Sequence, residues 1–216
     1  MTAKNKIKPD GPRIREVIKR LKAQYTEAKC SLDHSSPYQL LVATVLSAQC
    51  TDERVNKVTP HLFKRYPDFG ALAEADQNDL EEIIRSTGFF RNKSKNLVAC
   101  AKTVHGVYAD ILPKSVEELS QLPGVGRKTA NVVLGNAFGI AAMVVDTHVS
   151  RLSQRLGLAK GKTPEVIELE LMRVIPKVDW VVFSHLLIYH GRAVCKARKP
   201  LCDSCHLESI CPRKGV

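Results

Sequence analysis

Long apolar runs are missing from these 216 residues, so no transmembrane helix is expected. Met1 to Asp10 is basic and polar with no apolar stretch behind it, which predicts no secretory signal peptide. Repeats, flexible linkers and low-complexity tracts are absent, and 12 glycines and 11 prolines leave no collagen-like reading. Hydrophobic residues are not scarce: at 44% they exceed what a disordered tail carries. A chain of this size can bury about 70% of its unfolded surface, enough for one large core or two small ones. The expectation is a compact, cytoplasmic protein without a membrane partner.

Acidic residues are the short class. Against 33 Lys and Arg there are 22 Asp and Glu, a formal net charge of +11. That surplus suits a polyanion, and nucleic acid is the commonest one inside cells, although net charge says nothing about fold.

Seven cysteines are present, an odd number, and without a secretory context a disulfide framework is not expected. Cys30, Cys50 and Cys100 lie scattered in apolar or helical surroundings and read as buried free thiols. Cys195, Cys202, Cys205 and Cys211 instead crowd the end of the chain with the spacing C-x6-C-x2-C-x5-C. Four thiolates so close in sequence can surround one metal centre, either a structural zinc or a [4Fe-4S] cluster. Zinc ribbons usually show two short cysteine knuckles, and only Cys202 and Cys205 form one here, which favours iron–sulfur.

Strand signals are nearly absent, since only Met143-Val144-Val145 resembles one and three residues are too few. Helical period dominates. Pro12 opens a segment with Ile14, Val17, Ile18, Leu21 and Tyr25 on one face and basic residues outside. Residues 38–49 are mostly apolar and predict a buried central helix. Further helices are expected near 52–65, 78–86, 92–108, 116–121, 126–139, 147–157, 164–175 and 180–190. Ser115 with Glu118 forms a capping box, and Thr163-Pro164 pairs an N-cap with a proline at the first helical position. The fold class is all-α.

One stretch carries more than structure. Leu122-Pro123-Gly124-Val125-Gly126-Arg127-Lys128 joins the end of a short helix to the start of another. Two glycines allow a tight hairpin whose backbone N–H groups point outward at a helix N-terminus, an arrangement that binds a phosphate oxygen without a side chain. With Arg127 and Lys128 following, Leu122, Gly124, Val125, Gly126 and Arg127 become candidate contacts to a DNA backbone.

Leu122 to Ala130, then Val145-Asp146-Thr147-His148-Val149, then the four-cysteine tail, together resemble the endonuclease III family, the iron–sulfur branch of the helix-hairpin-helix DNA glycosylases. Leu46-Ser47-Ala48-Gln49 with Thr51-Asp52 and Val55-Asn56 is similar to the family too, as is His190-Gly191-Arg192. The resemblance runs from residue 12 to Cys211, in order and at compatible spacing.

It implies a two-lobed fold. Residues 30–141 would form a helical domain holding the helix-hairpin-helix at 116–135. Residues 1–29 and 142–216 would form the second lobe, with the cluster loop at 195–211. It also implies a monomeric, nucleoid-associated prokaryotic-type repair enzyme acting on double-stranded DNA that contains damaged pyrimidines or abasic sites. By that resemblance the enzyme is a bifunctional glycosylase and AP lyase, which removes oxidised pyrimidines and cuts 3′ to the abasic site by β-elimination.

Lys128 would be the nucleophile, which needs a neutral amine and hence desolvation or nearby positive charge. Asp146 would support base departure, although its position also reads as a helix N-cap. Gln49 would fill the hole left by the flipped nucleotide, with a second wedge at Gly88-Phe89-Phe90-Arg91-Asn92. There Phe89 and Phe90 replace the family's usual aliphatic–aromatic pair, which bears on how the opposite strand is held. Cys195, Cys202, Cys205 and Cys211 would hold the cluster, with Lys196, Arg198 and Lys199 in its loop turned to phosphates.

Three other readings explain fewer features. Adenine-mismatch glycosylases typically lack the lysine and carry an early glutamate where this chain has Ala43, together with a further C-terminal domain. A non-enzymatic, metal-containing DNA-binding protein would need neither Lys128 nor Asp146. An iron–sulfur electron carrier would need neither the hairpin nor the basic balance.

Overall fold

The structure is a computed structural model and describes residues 11–216; Met1 to Asp10 lies outside the described residues. All regular structure among the described residues is helical. The chain divides into two compact units, Cys30–Ile140 and a second that joins residues 11–29 to Ala141–Val216. No helix among the described residues is long and apolar enough to cross a membrane.

The unit of residues 30–140 is built round α2 (Pro37–Leu46), which buries Tyr38 and every residue from Leu40 to Leu46. Ser36 caps it by accepting the Gln39 N–H. An uninterrupted apolar run of this kind suits a helix buried on all sides. Around it lie α3 (Asp52–Arg65), α4 (Phe69–Ala73), α5 (Gln77–Ile84), α6 (Phe90–Tyr108), α7 (Val116–Leu119) and α8 (Arg127–Ala137). Tyr38 anchors the packing, with its ring 4.8 Å from Phe69 and its hydroxyl donating to Tyr66 O at 2.6 Å.

Most helix ends shift by one to three residues from expectation, and one helix end and one whole helix show why. Helix α2 stops at Leu46, not residue 49, because Ser47 Oγ donates to Thr44 O and Gln49 takes a left-handed backbone, φ +54°. Helix α4 escaped the sequence reading altogether. It is one turn long, too short for periodicity, and only its Asp68 cap, accepting from Ala71 N, marks it.

The second unit packs α1 (Gly11–Gln24), α9 (Thr147–Arg155), α10 (Pro164–Val174) and α11 (Trp180–Ala193). Ile14, Val17, Ile18 and Leu21 of α1 join Leu152, Leu171, Phe183, Leu186 and Leu187 in one core. Met143–Val145 is buried but pairs with no strand; the Val144 N–H donates to Ser184 Oγ at 3.1 Å. Thr163 and Pro164 start α10 as a cap and a first-turn proline, and Ser115 with Glu118 starts α7. Cys100 is buried, whereas Cys30 and Cys50 are only half-buried.

Candidate functional site

The hairpin between α7 and α8 is pinned from beneath. Leu122 and Val125 are buried, with 3% and 4% of their surface exposed, and Val125 N donates to Leu122 O at 3.0 Å. Their side chains therefore face the core, and only their backbone is left for a ligand. Gly124 adopts φ +75°, and a Cβ there would stand 2.7 Å from Asn96 Cβ of α6, so glycine is required twice over. Gly126 is the N-cap of α8 and offers no side chain to the first-turn amides, although a Cβ there would meet open space. Arg127 and Lys128 follow, both exposed, in the first turn of α8. The result is a helix N-terminus with positive partial charge, no side-chain cap, and two cations beside it.

Asp146 opens α9. Its Oδ1 accepts the Val149 N–H at 2.8 Å, so the carboxylate is held in one orientation by its own helix. His148, two residues on, takes an N–H from Arg151 on its Nδ1 at 3.1 Å. Burial first, then the charges of Arg151 and Arg192, holds its imidazole below the usual range against the pull of Asp146. His148 is thus held towards its neutral form and paired locally.

Gln49 and Phe89 share one feature. Both are exposed, Phe89 at 63%, and both hold a left-handed backbone, φ +54° and +48°. Non-glycine residues rarely adopt that conformation, and where they do the surroundings must impose it. Beside Phe89, the guanidinium groups of Arg85 and Arg91 lie 5.8 Å and 5.5 Å from the Phe90 ring.

One residue behind these two tips was missed in the sequence. Lys93 is only 6% exposed, and its Nζ donates to Leu46 O and to Thr87 O, each at 2.8 Å. The signal was there: Lys93 lies in helical register with Leu97, Cys100, Ala101 and Val104, the buried face of α6.

The four terminal cysteines line one cavity of about 30 Å³, together with Leu152, His190, Val194 and Leu207. The donor set fits a metal–sulfur group, because protein nitrogens lie within hydrogen-bond distance of two of the four sulfurs. Arg155 Nη1 lies 3.4 Å from Cys195 Sγ, the Leu207 N–H 3.4 Å from Cys205 Sγ, and His190 Nε2 3.4 Å from the same sulfur. Such outer hydrogen bonds orient and tune thiolate ligands. His190 is itself fixed by the Tyr25 hydroxyl, 3.0 Å from its Nδ1, and burial with His206 nearby pushes its pKa down to about 4. As they stand, no three His, Cys, Asp or Glu among the described residues are grouped to hold a single metal ion.

Lys196, Arg198 and Lys199 are all exposed on the loop, and Lys199 is left-handed at φ +49°. Arg155 shapes this segment from behind, donating to Lys196 O at 2.7 Å and Ala197 O at 3.0 Å. Arg151 similarly holds Cys195 O at 3.0 Å.

An all-helical chain with a bare-ended hairpin lysine, a helix-capping aspartate and a four-cysteine loop has the make-up of a helix-hairpin-helix DNA repair enzyme. Comparison with known proteins gives the family. Residues 42–177 match the HhH-GPD superfamily of base excision DNA repair proteins. Endonuclease III of Synechocystis sp. is 61% identical over 202 residues, 93% of this chain and 92% of that protein. Endonuclease III of Bacillus subtilis is 47% identical over 193 residues, 88% and 87% of the two chains. A solved non-covalent endonuclease III–DNA complex superposes with a TM-score of 0.88 at 42% identity, covering 94% of this chain and 95% of that one. The chain belongs to the HhH-GPD superfamily and, within it, to the endonuclease III family. Its activity class is that of a base excision repair DNA glycosylase and AP lyase.

Proposed function

We propose that this chain removes oxidised pyrimidines from duplex DNA and then cuts the strand 3′ to the abasic site, with Lys128 as nucleophile and Asp146 as the carboxylate that supports base departure. The observation that carries this reading is the position of Lys128, exposed in the first turn of α8 directly after an uncapped hairpin. A phosphate bound at those amides holds the backbone beside the amine that has to reach C1′.

The chemistry runs in two stages. The Lys128 nitrogen lone pair forms a bond to C1′ while the glycosidic bond breaks and the base leaves with a proton. Ring opening gives a Schiff base at C1′. Loss of a C2′ proton then expels the 3′ phosphate as the leaving group. Asp146 stabilises the positive charge that develops on the sugar as the base departs. Its Oδ1 holds the cap to Val149, and the second oxygen of the carboxylate is available for that task. Gln49 and Phe89, on their exposed tips, fill the gap in the duplex and contact the opposite strand.

Cys195, Cys202, Cys205 and Cys211 would hold a [4Fe-4S] cluster, and its contribution is structural, ordering the loop that carries Lys196, Arg198 and Lys199 to backbone phosphates. Zinc on the same four thiolates is the alternative. Iron and acid-labile sulfide analysis of the purified protein separates them: about four of each per chain is expected, and stoichiometric zinc without sulfide overturns the cluster.

The activity is tested by borohydride trapping on a duplex carrying one thymine glycol, with an abasic duplex beside it. Reduction locks the Schiff base into a covalent complex, and trapping on both duplexes, lost in Lys128→Ala, is expected. Trapping on the abasic duplex alone would move the base specificity away from oxidised pyrimidines. A Lys128→Ala variant that still nicks abasic DNA would remove the nucleophile assignment. On this reading the protein works as a monomer, in the cytoplasm at the nucleoid of a prokaryotic-type cell.

A further inference from the structure

The two candidate wedge tips belong to different helices, yet one side chain touches the backbone behind both. Helix α2 ends at Leu46, and the Cys50 N–H, four residues on, donates to Ser47 O at 3.1 Å. That leaves the Leu46 carbonyl at a helix C-terminus, where acceptors lack intrahelical partners and partial negative charge gathers. Lys93 Nζ takes it at 2.8 Å, three residues before Gln49. The same ammonium takes Thr87 O at 2.8 Å, two residues before Phe89. Thr87 is buried, and its hydroxyl donates to Ile84 O at 2.8 Å. Neither carbonyl is free to drift, and each is followed within a few residues by a left-handed, exposed side chain.

An ammonium is a costly group for this place. Desolvating a charge is unfavourable unless its hydrogen bonds are made, and a methionine of similar length would fill the same volume without the penalty. Burial indeed holds the Lys93 amine below the usual lysine range. Bracing two strained tips at a fixed separation is a task that methionine cannot do, because it has no donor for either carbonyl.

We propose that Lys93 is a positioning residue for base extrusion, an internal strut that holds the Gln49 and Phe89 tips in register so that they enter the duplex as one unit. This rests on the reading of Gln49 and Phe89 as the residues that fill the gap. The strut touches neither DNA nor the reacting atoms and acts through the loops.

The test uses the full-length protein, with Lys93→Met as the first variant. Hydrogen exchange of the amides at 47–50 and 87–90 should quicken by about tenfold or more, the scale of losing a charge-assisted hydrogen bond. Exchange at 124–128, in the hairpin, should stay as in the parent. Excision from a thymine glycol duplex in a single turnover should fall by about tenfold. The decisive comparison puts Lys93→Met into a Gln49→Ala/Phe89→Ala background. With no tips left to brace, the extra substitution should cost nothing further.

A multiplicative loss in that background, or unchanged exchange at both loops, overturns the strut. If the Gln49→Ala/Phe89→Ala protein excises at the parental rate, the wedge reading itself fails, and that outcome is distinct from failure of the strut. Should Lys93→Met not melt cooperatively, Lys93→Gln carries the same test: its amide keeps two N–H donors but on a shorter side chain that does not span both carbonyls, so exchange should quicken in at least one of the two loops.

Discussion

Helix α8 begins at Gly126, which offers no side chain to its first-turn amides, whereas α9 begins at Asp146, whose carboxylate accepts the Val149 N–H at 2.8 Å. Most other helices of the chain follow the second pattern: Ser36, Thr51, Asp68, Asp76, Ser115 and Thr163 all accept from their own first turn. A bare start is tolerated at α8 because the hairpin is fixed otherwise, by buried Leu122 and Val125 and by Gly124 against Asn96. With stability taken over by packing, no N-cap side chain occupies the start of α8, the arrangement in which helix N-termini receive anions. At α9 the cap and the proposed catalytic group are one carboxylate, so stability and function are tied together. The α8 start can be altered without unfolding the chain, and the α9 start cannot be altered without asking which role was lost.

The largest expected effect comes from making α8 like its neighbours. In Gly126→Asp the new side chain enters open space, at φ −88°, and caps the helix itself. A capping aspartate in place of glycine changes stability by only a few tenths of a kcal/mol. Duplex affinity should nevertheless fall by about tenfold to a hundredfold, through loss of a charge-assisted phosphate contact and added repulsion. The salt dependence should lose about one unit of slope. A chain that melts as before and binds DNA as before would erase the distinction between the two starts.

That distinction was partly legible in the sequence. Leu-Pro-Gly-Val-Gly-Arg-Lys is a local signal, since glycine, proline and the alternation of apolar residues all act within one turn, and the hairpin follows from them. All-helical architecture was legible for the same reason: amphipathic period and caps are near-neighbour properties. Apart from the one-turn α4, what escaped depends on distant partners. The apolar run 38–49 hides the end of α2, because nothing within it announces that Leu46 O will be met by a lysine 47 residues further on. Lys93 itself could have been questioned as a charge on an apolar stripe, but its two acceptors could not have been named. The segment Met143–Val145 reads as a weak strand because buried extended chain and strand share a composition, and only the Ser184 hydroxyl shows where its amide goes.

A smaller effect, and a finer test of the α9 start, comes from Asp146→Asn. Asparagine accepts the Val149 N–H about as well as aspartate does, so the cap survives and stability should change by less than about 0.5 kcal/mol. Only the negative charge is lost. Base release should then slow by about tenfold or more, read as single-turnover excision on a thymine glycol duplex. Strand cleavage of a preformed abasic site should be less affected, since no base has to leave. Asp146→Ala separates the two roles further, adding about 1 kcal/mol of destabilisation in thermal or urea unfolding as the cap goes too. If Asn and Ala differ in melting yet excise equally slowly, charge serves the chemistry and the cap serves the helix. If Asn excises at the parental rate, Asp146 is a cap and nothing more, and α9 starts for the same reason as the other capped helices.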